Sequence, residues 1–176
     1  ESPVGHVSPT NITIQPGHIV HFDFGIRKDN YCADIQRVVY ISKPGEYCVP
    51  EQIRKGFNII THAIAETAKA MKPGRTGAAI DAIARNIVIE SGFPEYMYAT
   101  GHQLGRLAHD GAGILGPKWE RYGNTPDYPL ELGQVFTIEP GLALPGFGYI
   151  GLEEDVVIRE NGAEFLGEPQ NELIII

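Results

Sequence analysis

His18-Ile-Val-His-Phe-Asp-Phe-Gly25, then Ile26-Arg-Lys-Asp-Asn30, then Tyr31-Cys-Ala-Asp-Ile-Gln-Arg37 is the stretch on which the fold of this chain turns. Two runs of β-branched and aromatic residues flank a short polar group, the pattern of a hairpin. A turn made of residues 27–30 would pair Ile26 with Tyr31 and set Asp23 opposite Asp34. Facing Cβ atoms in such a pair lie about 4.5–5.5 Å apart. Two carboxylates at that range on otherwise apolar strands repel each other, and they resist ionisation unless they share a proton or a cation sits between them. The competing reading puts both acids on a solvated hairpin face.

On either side of the hairpin the hydrophobic pattern gives the remaining elements. Strands are expected near 11–15, 18–26 and 31–41. From Pro50 the spacing becomes helical, with Ile53, Phe57, Ile60, Ile64, Ala68 and Met71 on one face until Pro73 and Gly74 end it. A second helix starts at Thr76, a candidate N-cap, carries Ile80, Ile83, Ile87 and Val88 as its stripe, and ends at Ser91, Gly92 and Pro94. Strands return around 100–110, 134–139 and 150–158, with 111–131 as a long loop. Strands, two helices and strands again describe an α+β domain whose helices cover one face of a largely antiparallel sheet.

Three more segments carry chemistry. Thr100-Gly-His102-Gln-Leu-Gly105-Arg-Leu-Ala-His109 places two histidines among glycines that permit close backbone approach. A single histidine such as His102 in such a place is more often a satisfied core residue than a ligand. Gln134-Val-Phe-Thr-Ile-Glu139-Pro140-Gly141 is an apolar strand with one acid where Pro-Gly breaks the ladder, so Glu139 is either surface-capped or a ligand. In Gly151-Leu-Glu153-Glu154-Asp155-Val-Val-Ile, alternation puts Glu153 and Asp155 on one face and Glu154 on the other. Carboxylates with one imidazole suit Mn²⁺, Co²⁺, Fe²⁺ or Zn²⁺ rather than a thiolate site. Four carboxylates exceed the charge of one divalent ion, which favours a pair of ions about 3.5–4 Å apart.

Bulk properties narrow the classes. The 176 residues, 43% hydrophobic, suffice for one domain with one core. With 22 acids against 14 Lys plus Arg, a net charge of −8 argues against nucleic acid as a partner. No apolar run approaches the roughly 20 residues that cross a bilayer, so no membrane association is expected and a cytoplasmic location is. Two cysteines are too few for a disulfide scaffold.

At these residues the chain resembles the pita-bread metallopeptidases: methionine aminopeptidases, Xaa-Pro aminopeptidases and prolidases. The family order Asp, Asp, His, Glu, Glu matches Asp23, Asp34, His102, Glu139 and Glu153, and the Gly-His-x-x-Gly-x-x-x-His and Thr-Ile-Glu-Pro-Gly segments match as well. Glu153-Glu-Asp-Val-Val-Ile158 with the following Asn161-Gly162 looks more like the Xaa-Pro branch. The resemblance implies a pita-bread fold over residues 1–176, a curved sheet with helices on its outer face, with the N-terminal helices and strand of the first half lacking. It implies two divalent ions, manganese foremost and cobalt, zinc or iron as alternatives, chelated by Asp23, Asp34, His102, Glu139 and Glu153. Asp34 and Glu153 would bridge the pair, and Glu139 would also shuttle the proton of the attacking water. His109 would stabilise the oxyanion, and His6 would act near the leaving group. The implied reaction is removal of an N-terminal residue from a peptide with a free N-terminus, or cleavage of a dipeptide. The alternative is a non-catalytic module that holds peptides or proteins in the same cleft.

The chain departs from the family pattern in three places. Tyr98 stands where proline-selective relatives carry a histidine, which bears on proline preference. Gly151 stands where the Xaa-Pro branch usually has an arginine bracing the metal ligands. An incomplete first half would leave apolar helix faces and a sheet edge uncovered, which invites a homo-oligomer or a further segment.

Overall fold

A computed structural model describes residues 11–176 of the chain. The hairpin forms as strands β1 (Ile19–Lys28) and β2 (Tyr31–Tyr40), paired antiparallel. Its turn holds two residues rather than four. Asp29 and Asn30 both take positive φ, 51° and 67°, as a tight hairpin turn of the favoured hand requires, and Asp and Asn tolerate that region best after Gly. The register therefore differs from the expected one: Asp23 faces Gln36, and Asp34 faces Gly25. A shift of two keeps every side chain on its face, so His21, Asp23, Asp34 and Gln36 share one side. Residues 11–15 run as irregular chain, not as the expected strand.

Helix α1 (Glu51–Ala70) buries Ile53, Phe57, Ile60, Ile64 and Ala68, with Met71 just beyond its end, the whole stripe read from spacing. Helix α2 (Gly77–Glu90) starts at Thr76, whose hydroxyl accepts a hydrogen bond from the Ala79 N–H at 3.3 Å. Its buried face is rotated from the expected one. Ile80, Ala84 and Val88 face inward with Asp81 and Arg85 between them, while Ile83 and Ile87 are only partly covered. Replacing Thr76 by Ala is expected to lower unfolding stability by about 1 kcal/mol through loss of the cap, measurable by urea denaturation, and an unchanged midpoint would refute that role.

The strand expected over 100–110 is only β3 (Gly101–His102), which pairs with β4 (Ile114–Leu115); the loop expected over 111–131 holds β4 and short 3₁₀ turns at Glu120–Tyr122 and Thr125–Asp127. The C-terminal strands are β5 (Val135–Ile138), β6 (Gly141–Leu144), β7 (Gly148–Gly151), β8 (Glu154–Arg159), β9 (Gly162–Phe165) and β10 (Ile174–Ile175). Antiparallel ladders join β5, β8 and β9, and β6 with β7; only β10 runs parallel to its neighbour, β2. Isolated bridges Gln36–Glu153 and Gln103–Phe136 link these pieces.

The core lies between α1 and the β5–β7 strands, where Phe57, Ile60 and Ile64 meet Leu142, Leu144 and Ile150. The apolar face of α1 is covered by these strands, while on α2 Ile83 and Ile87 are only partly covered and Ile89 is exposed. Exposed apolar side chains also line the hairpin, where Phe22, Phe24 and Ile26 project from the edge strand β1 away from the Asp23 side.

Candidate metal centre

Four separate elements bring polar side chains to one point beneath the hairpin. The bridge between Gln36 and Glu153, with N–H···O distances of 3.2 and 3.4 Å, joins β2 to the start of β8 and so carries Glu153 to Asp34. The Glu139 N–H donates to the Thr100 carbonyl at 2.6 Å, and the His102 N–H to the Thr137 hydroxyl at 3.1 Å, which locks β3 beside the end of β5. That approach needs glycine at 101, where a Cβ would lie 2.0 Å from the Thr137 carbonyl oxygen.

The outcome is a tight cluster. His102 Nε2 lies 3.7 Å from Glu139 Oε1, 3.7 Å from Glu153 Oε1 and 4.0 Å from Asp34 Oδ2. One donor atom each from Asp34, His102 and Glu153 lies within 4.8 Å of the other two. Asp23 stands on the same hairpin face, and its charge acts on Glu139, Glu153 and His102. Asp23 itself is exposed and Asp34 half-buried, whereas Glu139 and Glu153 are buried.

Crowding of acids out of water shifts their protonation. Burial first, then the charges of Asp34 and Asp23, push the Glu139 carboxyl up. Glu153 is pushed up by burial and then by Glu139, Asp34, Asp23 and Asp155. Asp155 rises to about 7, chiefly through burial. It gives one oxygen to the Asp34 N–H at 3.1 Å, while its other oxygen is buried without a hydrogen-bond partner. His102 is pushed down to about 4 by burial and by the neighbouring His109, so near neutral pH it presents a lone pair.

His109 comes back over His102. The chain turns after His102, with the Asp110 N–H bonded to the Gln103 carbonyl at 2.9 Å and the Asp110 carboxylate taking the N–H of Arg106 and Gly111 at 2.7 and 3.0 Å. The two imidazoles then stack with centroids 3.9 Å apart. A turn, not a continued strand, makes this contact. His6 lies outside the described residues.

Several neighbours of the cluster escaped sequence reading. Arg37 donates to the Glu153 carbonyl at 3.0 Å and to Glu154 Oε2 at 3.0 Å, holding the β2–β8 bridge from the far side. His21 bonds Gln36 at 2.9 Å. Tyr149 packs edge-on to His21 and bonds the hydroxyl of Tyr98. The space an arginine would take at position 151 is filled: a Cβ there would lie 2.6 Å from Tyr149 Cε1 and 3.0 Å from Gln36 Oε1. Asp81 and Arg85, a charged pair four residues apart among the isoleucines of α2, are the sequence signal that could have found part of this surround.

The donor chemistry fits a divalent cation. Hard oxygens with one neutral imidazole are gathered at coordinating range, and burial with mutual repulsion pushes the Glu139 and Glu153 carboxyls up. Comparisons with known proteins agree with that chemistry. The chain is 32% identical over 172 residues to a Xaa-Pro dipeptidase of Lactobacillus helveticus, covering 97% of this chain and 43% of that protein. Among solved structures it matches an X-Pro aminopeptidase from Thermotoga maritima, with a TM-score of 0.85, 32% identity, and coverage of 99% of this chain and 46% of that one. A dipeptidase from Pyrococcus horikoshii gives a TM-score of 0.85 at 31% identity, with 99% and 46% covered. The chain therefore spans just under half the length of these three proteins, and its architecture is the pita-bread fold of these peptidases. Residues 1–160 match metallopeptidase family M24, and the chain belongs to that family.

Proposed function

We propose that these residues form the metal-holding part of a dinuclear exopeptidase that cleaves the N-terminal peptide bond of peptides or splits dipeptides. The observation that carries this reading is the approach of His102 Nε2 to carboxylates from three separate segments, at 3.7–4.0 Å. Asp23, Asp34, His102, Glu139 and Glu153 would hold two divalent ions, manganese foremost. When bound, these ions supply Lewis acidity and lower the pKa of water towards neutrality.

Each side chain has a task that its position supports. Glu139 takes the proton of the attacking water and passes it to the departing amine, as the C–N bond breaks and the new C–O bond becomes part of the carboxylate product. Burial makes its carboxylate more basic than an exposed one, which suits a group that first accepts a proton and then returns it. His109, exposed at the mouth and stacked on His102, donates to the carbonyl oxygen as charge builds there. His6 is assigned to the leaving-group side by family analogy alone.

Tyr98 gives the substrate question a concrete form. Its phenol is bonded to Tyr149, and Glu139 acts on it electrostatically, so the wall beside Glu139 is a phenol pair rather than an imidazole. Peptides with and without Pro at the second position, assayed with Mn²⁺ on the intact protein, should be cleaved at rates within a few-fold of each other. A strong advantage for Pro would overturn this account of Tyr98. Absence of hydrolysis together with absence of stoichiometric metal would overturn the functional reading itself.

A further inference from the structure

Helix α2 carries an ion pair inside its buried face. Asp81 is 1% and Arg85 5% exposed, and the guanidinium grips both carboxylate oxygens at 2.6 and 2.7 Å. A buried pair of this kind is no better for stability than well-packed apolar side chains, so its stabilising effect does not account for it. Apart from an Arg85 contact to the Glu95 carboxylate at 3.3 Å, its remaining hydrogen bonds go to the stretch from Tyr96 to Thr100. Arg85 donates to the carbonyls of Tyr96 and Tyr98 at 2.6 and 2.7 Å. Asp81 Oδ1 accepts from the Thr100 N–H at 3.2 Å and from its hydroxyl at 2.7 Å. The intervening Met97 carbonyl is taken by Arg121, whose guanidinium lies 4.5 Å from the Trp119 ring centroid.

This stretch leads straight into the metal centre. The Thr100 carbonyl receives the Glu139 N–H, His102 follows two residues on, and the Tyr98 phenol reaches Tyr149. Charged side chains thus hold three successive carbonyls of this segment, and its Thr100 N–H.

We propose that Asp81 and Arg85 are positioning residues for the reaction, fixing the Tyr96–Thr100 segment so that His102 and Glu139 keep their mutual placement. The inference rests on the functional reading above, because the groups it positions are those that reading uses. Misplacement of a reacting group by about 1 Å costs on the order of a hundredfold in rate, which sets the scale of the effect.

The test uses the intact, Mn²⁺-loaded protein and three variants. Thr100→Val keeps volume and leaves the ion pair intact. Arg85→Lys keeps charge but loses the fork that reaches two carbonyls. The double variant Asp81→Leu with Arg85→Met replaces the pair by apolar groups that a core tolerates. For each, kcat and KM are measured per metal-loaded site, along with Mn²⁺ affinity by calorimetry and the melting temperature. Thr100→Val should lose about tenfold in kcat and the other two about a hundredfold, with KM within about twofold. Mn²⁺ affinity should fall at least tenfold in Arg85→Lys. Wild-type kcat per site in the folded variants would overturn the inference. Should the wild type bind Mn²⁺ without hydrolysing peptides, the functional reading fails, and unchanged Mn²⁺ affinity in the variants would still decide against the positioning role. Thr100→Val removes no buried charge, so a variant that folds is available for every readout.

Discussion

Replacing Asp34 by Ala is expected to abolish hydrolysis and tight metal binding while leaving the metal-free protein at least as stable as the wild type. Asp34 Oδ2 lies 4.0 Å from His102 Nε2 and belongs to the compact triad with Glu153. In the proposed site it would be one of the groups that hold the ions, so its loss would weaken metal binding, and a rate loss of about a thousandfold or more is expected. Stability should move the other way. The Asp34 charge is one of the causes that push Glu139 and Glu153 up, so deleting it relieves repulsion in the empty cluster. The Asp34 N–H that bonds Asp155 is backbone and survives the substitution. Measuring metal content, turnover and the melting temperature in EDTA on one preparation separates loss of a ligand from loss of fold. Wild-type turnover by the variant would remove Asp34 from the site. A melting point lowered in EDTA would show that it acts as a structural hydrogen-bonding group.

The clustering residues were legible in sequence because carboxylates and histidine stand in runs where an apolar residue would otherwise serve the core. Glu139 after Phe136-Thr-Ile138 and Glu153 after Leu152 are such interruptions, and both are buried. The helical stripe of α1 was equally plain, since an apolar period near 3.6 sustained along the whole element fits a helix and no strand. What failed was local geometry that depends on non-neighbours. The hairpin register hung on whether Asp29 and Asn30 alone could make the turn, which their positive φ allows. The stretch 100–110 has strand-like composition, yet Asp110 caps a turn that bends it back. On α2 the isoleucines suggested one face, whereas the sheet and loop it meets selected another, with Asp81 and Arg85 inside. The filling of position 151 by Tyr149 and Gln36 needs residues from three segments and leaves no mark on any one of them.

In the absence of metal, stability is expected to fall as pH rises above neutrality, and Mn²⁺ is expected to reverse that slope. Asp155 is held up to about 7 in the folded protein, chiefly by burial, against an ordinary value of 3.8. Between those values the folded chain keeps a proton that the unfolded chain has lost, so unfolding is favoured as pH increases through the interval. Glu139 and Glu153, raised by burial and by each other's surroundings, act in the same sense and extend the decline upward. His102 opposes them only at lower pH. Its folded value of about 4 lies below the ordinary 6.5, so the unfolded chain takes up the proton first and stability is lost as pH falls through that range. Above about pH 7.5 the imidazole is neutral in both states and the acids alone decide the slope. Divalent ions bind the deprotonated carboxylates and neutral imidazole, so their binding releases protons and strengthens with pH. Urea unfolding at about pH 6.5, 7.5 and 8.5 should show a decline on the order of a few kcal/mol in EDTA and a rise in saturating Mn²⁺. Parallel slopes in the two conditions would mean that the clustered acids do not meet the ion, whatever their spacing.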